Sequence, residues 1–207
     1  MNSPDVIQYY WKYYLSIEKQ IIELERFIEF DLQINGNTYS AKLLELLQSI
    51  CNEIDTVGKV LARIYDPTFH SEAFTSIKRW WHIVQCNNSQ ILNEPVVFRK
   101  ETLLPWKGFH VTRKNNQYCI DSSSPGACIP IWWDSHNDVK HRRTDCDENG
   151  RLFYTHASLS NVINAMAGLY ILEVVLLEQT DCIVDSSELF SVEGHHVFRN
   201  YVLWDAT

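Results

Sequence analysis

The sequence predicts a mainly α protein: an up-and-down helical bundle that carries a small β-rich insertion and ends in an irregular tail. Three observations lead there. Apolar residues recur at helical spacing through 4–28 and 41–64. The stretch 157–172 is apolar nearly all round, as a helix packed inside a bundle must be. Between these segments, 95–128 is broken by Pro and Gly into short runs rich in β-branched and aromatic residues.

From Pro4, with Asp5 near the positive end, a long helix is expected to carry Tyr9, Tyr10, Trp11, Tyr13 and Tyr14 and to continue through Ile17, Ile21, Leu24, Phe27 and Ile28. The Asn and Gly of 33–37 supply the turn that ends it. Ser40 then caps a second helix whose inner face holds Leu43, Leu47, Ile50, Cys51, Ile54, Val57 and Leu61. Asp66-Pro67 ends that helix, because proline disfavours helical geometry in the residue before it. A third helix is expected over 71–86, with Phe74, Ile77, Trp80, Trp81 and Val84 as its buried side.

The insertion at 95–128 follows, with its clearest loop at 121–126. Pro130 starts a fourth helix, and the acidic, glycine-ended break at 145–150 separates it from a central helix within 155–177. Past Glu178 the chain turns irregular. Residues 189–192 and 196–198 read as short strands that could pair with 96–98. One domain over 1–207 accounts for all of this.

A chain of 207 residues that is 45% apolar can build one sizeable core. Its net charge of -8 argues against a generally basic nucleic-acid coat and leaves room only for a local basic patch. The six cysteines contain no C-x-x-C pair, and acidic residues without an apolar run open the chain, so reduced thiols in a cytosolic protein are expected. No cofactor is expected, since no P-loop or dinucleotide-binding glycine pattern occurs. No metal is expected either. Cys119 with Cys128 matches structural zinc spacing poorly, and on a strand the adjacent His195 and His196 would point to opposite faces. The apolar run 159–177 approaches membrane-spanning length, yet Asn161, Asn164 and Glu173 would be penalised in a bilayer, so no membrane partner is expected.

The chemistry concentrates at 131–143, where Trp132 and Trp133 lead into Asn137, Lys140, two histidines (His136 and His141) and two arginines (Arg142 and Arg143). On a helix Trp133, Asn137 and His141 share one face, with His136 and Lys140 on the neighbouring one. His141 can exchange a proton near neutral pH, and its cationic neighbours Lys140, Arg142 and Arg143 can hold a phosphate oxyanion. That is the minimum equipment for metal-independent RNA cleavage. The competing reading is a polar network that caps helices and fixes the bundle or a dimer contact. Glu53, Asp55 and Lys59 on the second helix either face this cluster or form an exposed salt-bridged face.

The pattern Trp-Trp-x-x-x-Asn-x-x-Lys-His-x-Arg, here Trp132, Trp133, Asn137, Lys140, His141 and Arg143, is followed by the Asn/Ala-rich apolar helix containing Asn161, Asn164 and Ala165. Together with Tyr39-Ser40, the run Cys51-Asn52-Glu53-Ile54-Asp55 and Lys59, it resembles a group of bacterial proteins related to the HEPN superfamily. The resemblance covers most of the chain outside the insertion and the tail. It implies a helical bundle that dimerises, and an RNase of a toxin-antitoxin or phage-defence system with RNA and an antitoxin or defence protein as partners. The family's signature is Arg, usually Asn, three variable residues, then His. Asn137 and His141 match it, and His136 occupies the Arg position. The resemblance therefore implies His141 as the proton-transfer residue, Asn137 as its orienter or a phosphate ligand, and Lys140, Arg142 and Arg143 as oxyanion stabilisers. His136 leaves a permanent cation missing from the signature. A non-catalytic relative that binds RNA, a nucleotide or a protein partner stays open beside the RNase. That alternative predicts Asn137 and His141 buried and hydrogen-bonded within the fold.

Overall fold

Helix α1 (Pro4–Ile22) forms because Ile7, Trp11, Tyr14, Ile17 and Ile21 fall on one face and are all buried. In the computed structural model, which describes residues 4–70, 76–179 and 184–192, this helix stops earlier than its periodicity predicts. Beyond Ile22 a 3-10 turn (Glu23–Arg26) buries no side chain, Phe27 stays 82% exposed, and the Phe27 and Ile28 amides both fold back onto the Leu24 carbonyl at 2.9 Å. Leu24 and Ile28 pack only partly against the core and Phe27 stays in solvent, so their apolar spacing does not propagate the helix.

A short helix, α2 (Leu32–Asn35), fills part of the expected turn, capped by Asp31 Oδ1 accepting from the Gln33 and Ile34 amides at 2.9 and 3.0 Å. Helix α3 (Ala41–Tyr65) starts where Ser40 Oγ accepts from the Leu43 amide at 3.1 Å and ends at Asp66, as its capping residues predict. Helix α4 (Ile77–Asn87) presents Ile77, Trp80, Trp81 and Val84 to the core. It begins at Ile77 and not at 71 as expected, because Ser76 is in extended backbone and caps the helix, its Oγ accepting from the Lys78 amide at 3.3 Å; residues 71–75, with Phe74, lie outside the described residues. α3 and α4 approach closely at Gly58, where an added Cβ would sit 2.5 Å from the Trp80 ring.

The insertion holds two antiparallel pairs. Strand β1 (Val96–Phe98) pairs with β2 (Glu101–Leu103), and β3 (Val111–Lys114) pairs with β4 (Gln117–Ile120) through a tight turn in which Asn115 and Asn116 both take positive φ. The second expected pairing also occurs: β5 (Phe190–Val192) joins the other edge of β1, with Val97 opposite Ser191, giving the order β2-β1-β5. Buried Glu18 ties that segment to α1, accepting from Tyr14 Oη at 2.9 Å and from the Glu188 and Leu189 amides at 3.1 and 3.3 Å. The second expected tail strand, 196–198, and His195-His196 lie outside the described residues.

Helix α5 (Ile131–Arg142) and helix α6 (Leu159–Leu177) complete the architecture, which is mainly α. α6 packs against α1, α3 and α5 and is the centre of the core. By length and composition alone α6 could cross a membrane, but 83% of its most apolar window is buried inside the fold, and a core helix meets the same description. Its N-terminus is pinned by the loop before α3, through the Leu159 amide on the Thr38 carbonyl at 2.8 Å and Ser160 on Gly36 at 2.9 Å. Between α4, α6 and the insertion lies an indole stack. Trp81 and Trp106 are parallel with centroids 4.1 Å apart, and Trp106 Nε1 donates to the Gly168 carbonyl at 3.0 Å. An added Cβ on Gly168 would stand 3.3 Å from Trp132, so glycine lets the indoles reach the α6 backbone.

Candidate functional site

Helix α5 has one buried side and one polar side, and the buried side sets the direction of the other. Trp132 is 3% exposed, donates from Nε1 to the Pro105 carbonyl at 3.0 Å and stands edge-on to Trp106. Val139 is fully buried, and buried Ser135 accepts from Asn161 Nδ2 of α6 at 2.9 Å. With about 3.6 residues per turn, anchoring 132, 135 and 139 turns 133, 137, 140 and 141 the other way. They meet Cys51, Asn52, Asp55 and Lys59 of α3 and Ser76, Ile77 and Lys78 at the start of α4, around an open cleft of about 620 Å³.

Asn137, His141, Lys140 and His136 all line this cleft. Lys140 and His141 are exposed and Asn137 is half-buried. Among the described residues none of these three side chains makes a hydrogen bond. A non-catalytic relative whose polar cluster holds the bundle together predicted Asn137 and His141 buried and hydrogen-bonded; His141 is exposed, Asn137 is half-buried, and neither side chain is bonded among the described residues.

His136 is different. It is 3% exposed, its ring lies 5.5 Å from that of Trp133, and its Nδ1 has no hydrogen-bond partner among the described residues. Burial, reinforced by Lys140 and His141 and opposed by Asp55, pushes its pKa down to about 4. The imidazole is therefore neutral at pH 7 and does not supply the cation that an arginine would bring to this position.

Two further expectations need correction. Arg142 pairs with Asp138 and lies over the Phe153 ring at 4.4 Å, so its charge is spent on the flank of α5 away from the cleft. Exposed Arg143 follows the end of the helix, where its carbonyl accepts from the Tyr154 amide at 3.2 Å, and it does not line the cleft. The cleft cations are instead Lys140, Lys59 and Lys78.

Lys59 and Asp55 pair within α3, and Asp55 Oδ1 also accepts from Trp80 Nε1 at 2.9 Å. Asp55 and Lys59 thus face the cluster, and their salt bridge is half-buried at the cleft and not on an exposed face. Glu53 does not join them. It is half-buried, and burial raises its pKa. It stands close enough to Glu173 of α6 to raise that carboxyl further. Lys78 and Ser76 escaped the sequence reading because a lysine in the first turn of a helix, after a capping serine, carries no periodic signal. Only the packing of α4 against α3 brings them to the cleft.

Cys51 is also at the cleft wall, but full burial holds its thiol well above its ordinary pKa, with Lys140 only partly opposing. It is a protonated packing group, and buried thiols of this kind are inert. Among the described residues no three His, Cys, Asp or Glu side chains converge in a way that would hold a metal ion.

No family model, curated protein or solved structure matches this chain.

Chemically, the cleft offers one solvent-open imidazole, two amide side chains from Asn52 and Asn137, and, beside the paired Lys59, two cations that form no salt bridge among the described residues, Lys140 and Lys78, the latter near enough to Asp134 to attract that carboxylate. Cations on two helices lining one concave cleft suit a phosphate-bearing ligand. An imidazole within the same cleft adds a proton-transfer group.

Proposed function

We propose that the chain is a HEPN-like, metal-independent endoribonuclease of the defence or toxin-antitoxin type, acting through the cleft between α3, α4 and α5. One observation carries this reading: Asn137, Lys140 and His141 share a single open cleft with their hydrogen-bonding capacity unspent among the described residues. His141 takes the proton from a ribose 2′-hydroxyl, and the resulting oxyanion attacks the adjacent phosphorus. The bond from phosphorus to the 5′-oxygen breaks, that oxygen takes a proton from water in the open cleft, and a 2′,3′-cyclic phosphate remains. Lys140 and Lys78 offset the charge that builds on the phosphoryl oxygens, and Asn137 orients the imidazole or the phosphate. Lys78 thereby takes the place of the arginine that the signature would carry at His136. The family reading also implies that two chains pair.

The test is incubation of purified protein with mixed cellular RNA and tRNA in EDTA, comparing wild type with His141→Ala. Cyclic-phosphate ends produced by wild type and lost in the variant are the expected result. A second reading draws on neutral His136 in the arginine position: a relative that binds RNA without cutting it. Intact RNA in both reactions, with RNA retained by the protein in a filter assay, would replace the first reading by the second.

A further inference from the structure

We infer that Trp133 and His136 form a nucleobase subsite at the α5 wall of the cleft, so that the RNA taken there is single-stranded with an unstacked base. This inference rests on the RNA reading above and narrows it to a substrate class. The six described tryptophans are the starting point. Five of them, Trp11, Trp80, Trp81, Trp106 and Trp132, donate their indole N–H to a protein oxygen at 2.6–3.0 Å. Trp133 makes no such bond among the described residues, is only half-buried and lines the cleft. A large indole held at a cleft wall with its donor unspent is a surface prepared for something else.

His136 supplies the second, independent sign. It is 3% exposed, lines the same wall beside Trp133, and its Nδ1 finds no hydrogen-bond partner among the described residues. A buried polar ring with unmet capacity is costly unless a ligand completes it. A nucleobase meets both needs at once, because its π face stacks on an indole and its edge carries donors and acceptors in the ring plane. Lys140 follows His136 by one helical turn, about 6 Å along the axis, and also lines the cleft. A base held at Trp133 and His136 therefore keeps its own phosphate within the reach of a lysine. Bases inside a duplex offer no free face, so double-stranded RNA gains nothing from this wall.

The experiment is fluorescence anisotropy with a dye-labelled oligoribonucleotide, single-stranded and annealed to its complement, in a His141→Ala background that keeps the RNA intact. The single strand is expected to bind more tightly. Trp133→Ala and Trp133→Leu are expected to weaken it by about 5- to 150-fold, Trp133→Phe by less than about threefold, and none of the three to alter duplex binding. The Leu and Phe variants both keep apolar bulk against Trp132, so a difference between them reports the aromatic face and not a loss of folding. His136→Gln is expected to weaken the single strand as well. Equal affinity for both RNAs, with Leu and Phe variants alike, would overturn the subsite; if Lys140→Ala still weakens both RNAs, the RNA reading survives without it. No binding of either RNA would remove both.

Discussion

Acid should unfold this protein partly through His136, and the size of the effect follows from the burial of its ring. An imidazole in an unfolded chain has a pKa of about 6.5, whereas in the folded cleft wall burial beside Lys140 and His141 brings it down to about 4. Because the folded value is the lower one, the unfolded chain binds the extra proton between these limits. The stability tied to neutral His136 is fully present above pH 6.5 and is lost as pH falls toward 4. Each pH unit in that window is worth about 1.4 kcal/mol, so the full span is about 3 kcal/mol and the part between pH 6.5 and 5 about 2 kcal/mol. The perturbation is His136→Gln, which keeps a polar side chain that does not titrate. Urea unfolding at pH 7.5 and 5, with a slope of about 2 kcal/mol/M, should show the wild-type midpoint falling about 1 M further than that of the variant. Parallel midpoints across that range would refute the claim that a neutral, desolvated imidazole sits at the cleft wall.

Three other outcomes follow from packing and charge. Gly58→Ala drives a methyl to 2.5 Å from the fully buried Trp80 ring and should cost about 1–3 kcal/mol in chemical unfolding despite alanine's better helix propensity. Glu173 on α6 is fully buried with neither oxygen partnered among the described residues, and burial together with Glu53 holds its carboxyl well above the usual carboxylate range. Its folded pKa is the higher one, so wild-type stability is complete below the unfolded value and declines as pH rises. Glu173→Gln should therefore melt near wild type at about pH 4, below the unfolded value of about 4.3, and above it at about pH 8. Lys78→Ala and Lys140→Ala should each weaken RNA binding and reduce its salt slope by about 1. Arg142→Ala should leave both unchanged in the same titration, because that guanidinium is held by Asp138 and Phe153 outside the cleft.

The legible part of the fold is the part specified by local chemistry. Ser40 and Asp66-Pro67 mark the ends of α3, Pro130 starts α5, and an all-round apolar run becomes the central helix α6. Even the return of 190–192 to β1 could be read, because both runs are short and β-rich, and the hairpin with β2 leaves the other edge of β1 open. Periodicity misled past Ile22, where Leu24 and Ile28 pack only partly against the core and Phe27, on the same spacing, is left in solvent. In the cleft, helical spacing placed Asn137, Lys140 and His141 together, since that depends only on the geometry of one helix. It could not tell that Arg142 turns to Asp138 and Phe153, a choice made by side chains beyond the helix itself.

The sequence by itself determined α3, α5 and α6, the Ser40 cap, the β-rich insertion and the single face of α5 that carries Asn137, Lys140 and His141, because each is set by interactions within a few residues. Tertiary structure alone decided which charges share the cleft. Lys78 enters it because α4 packs against α3 at Gly58, and His136 loses its charge because the wall around it excludes water. Distance and desolvation between elements govern both outcomes, and neither quantity is written in residue spacing.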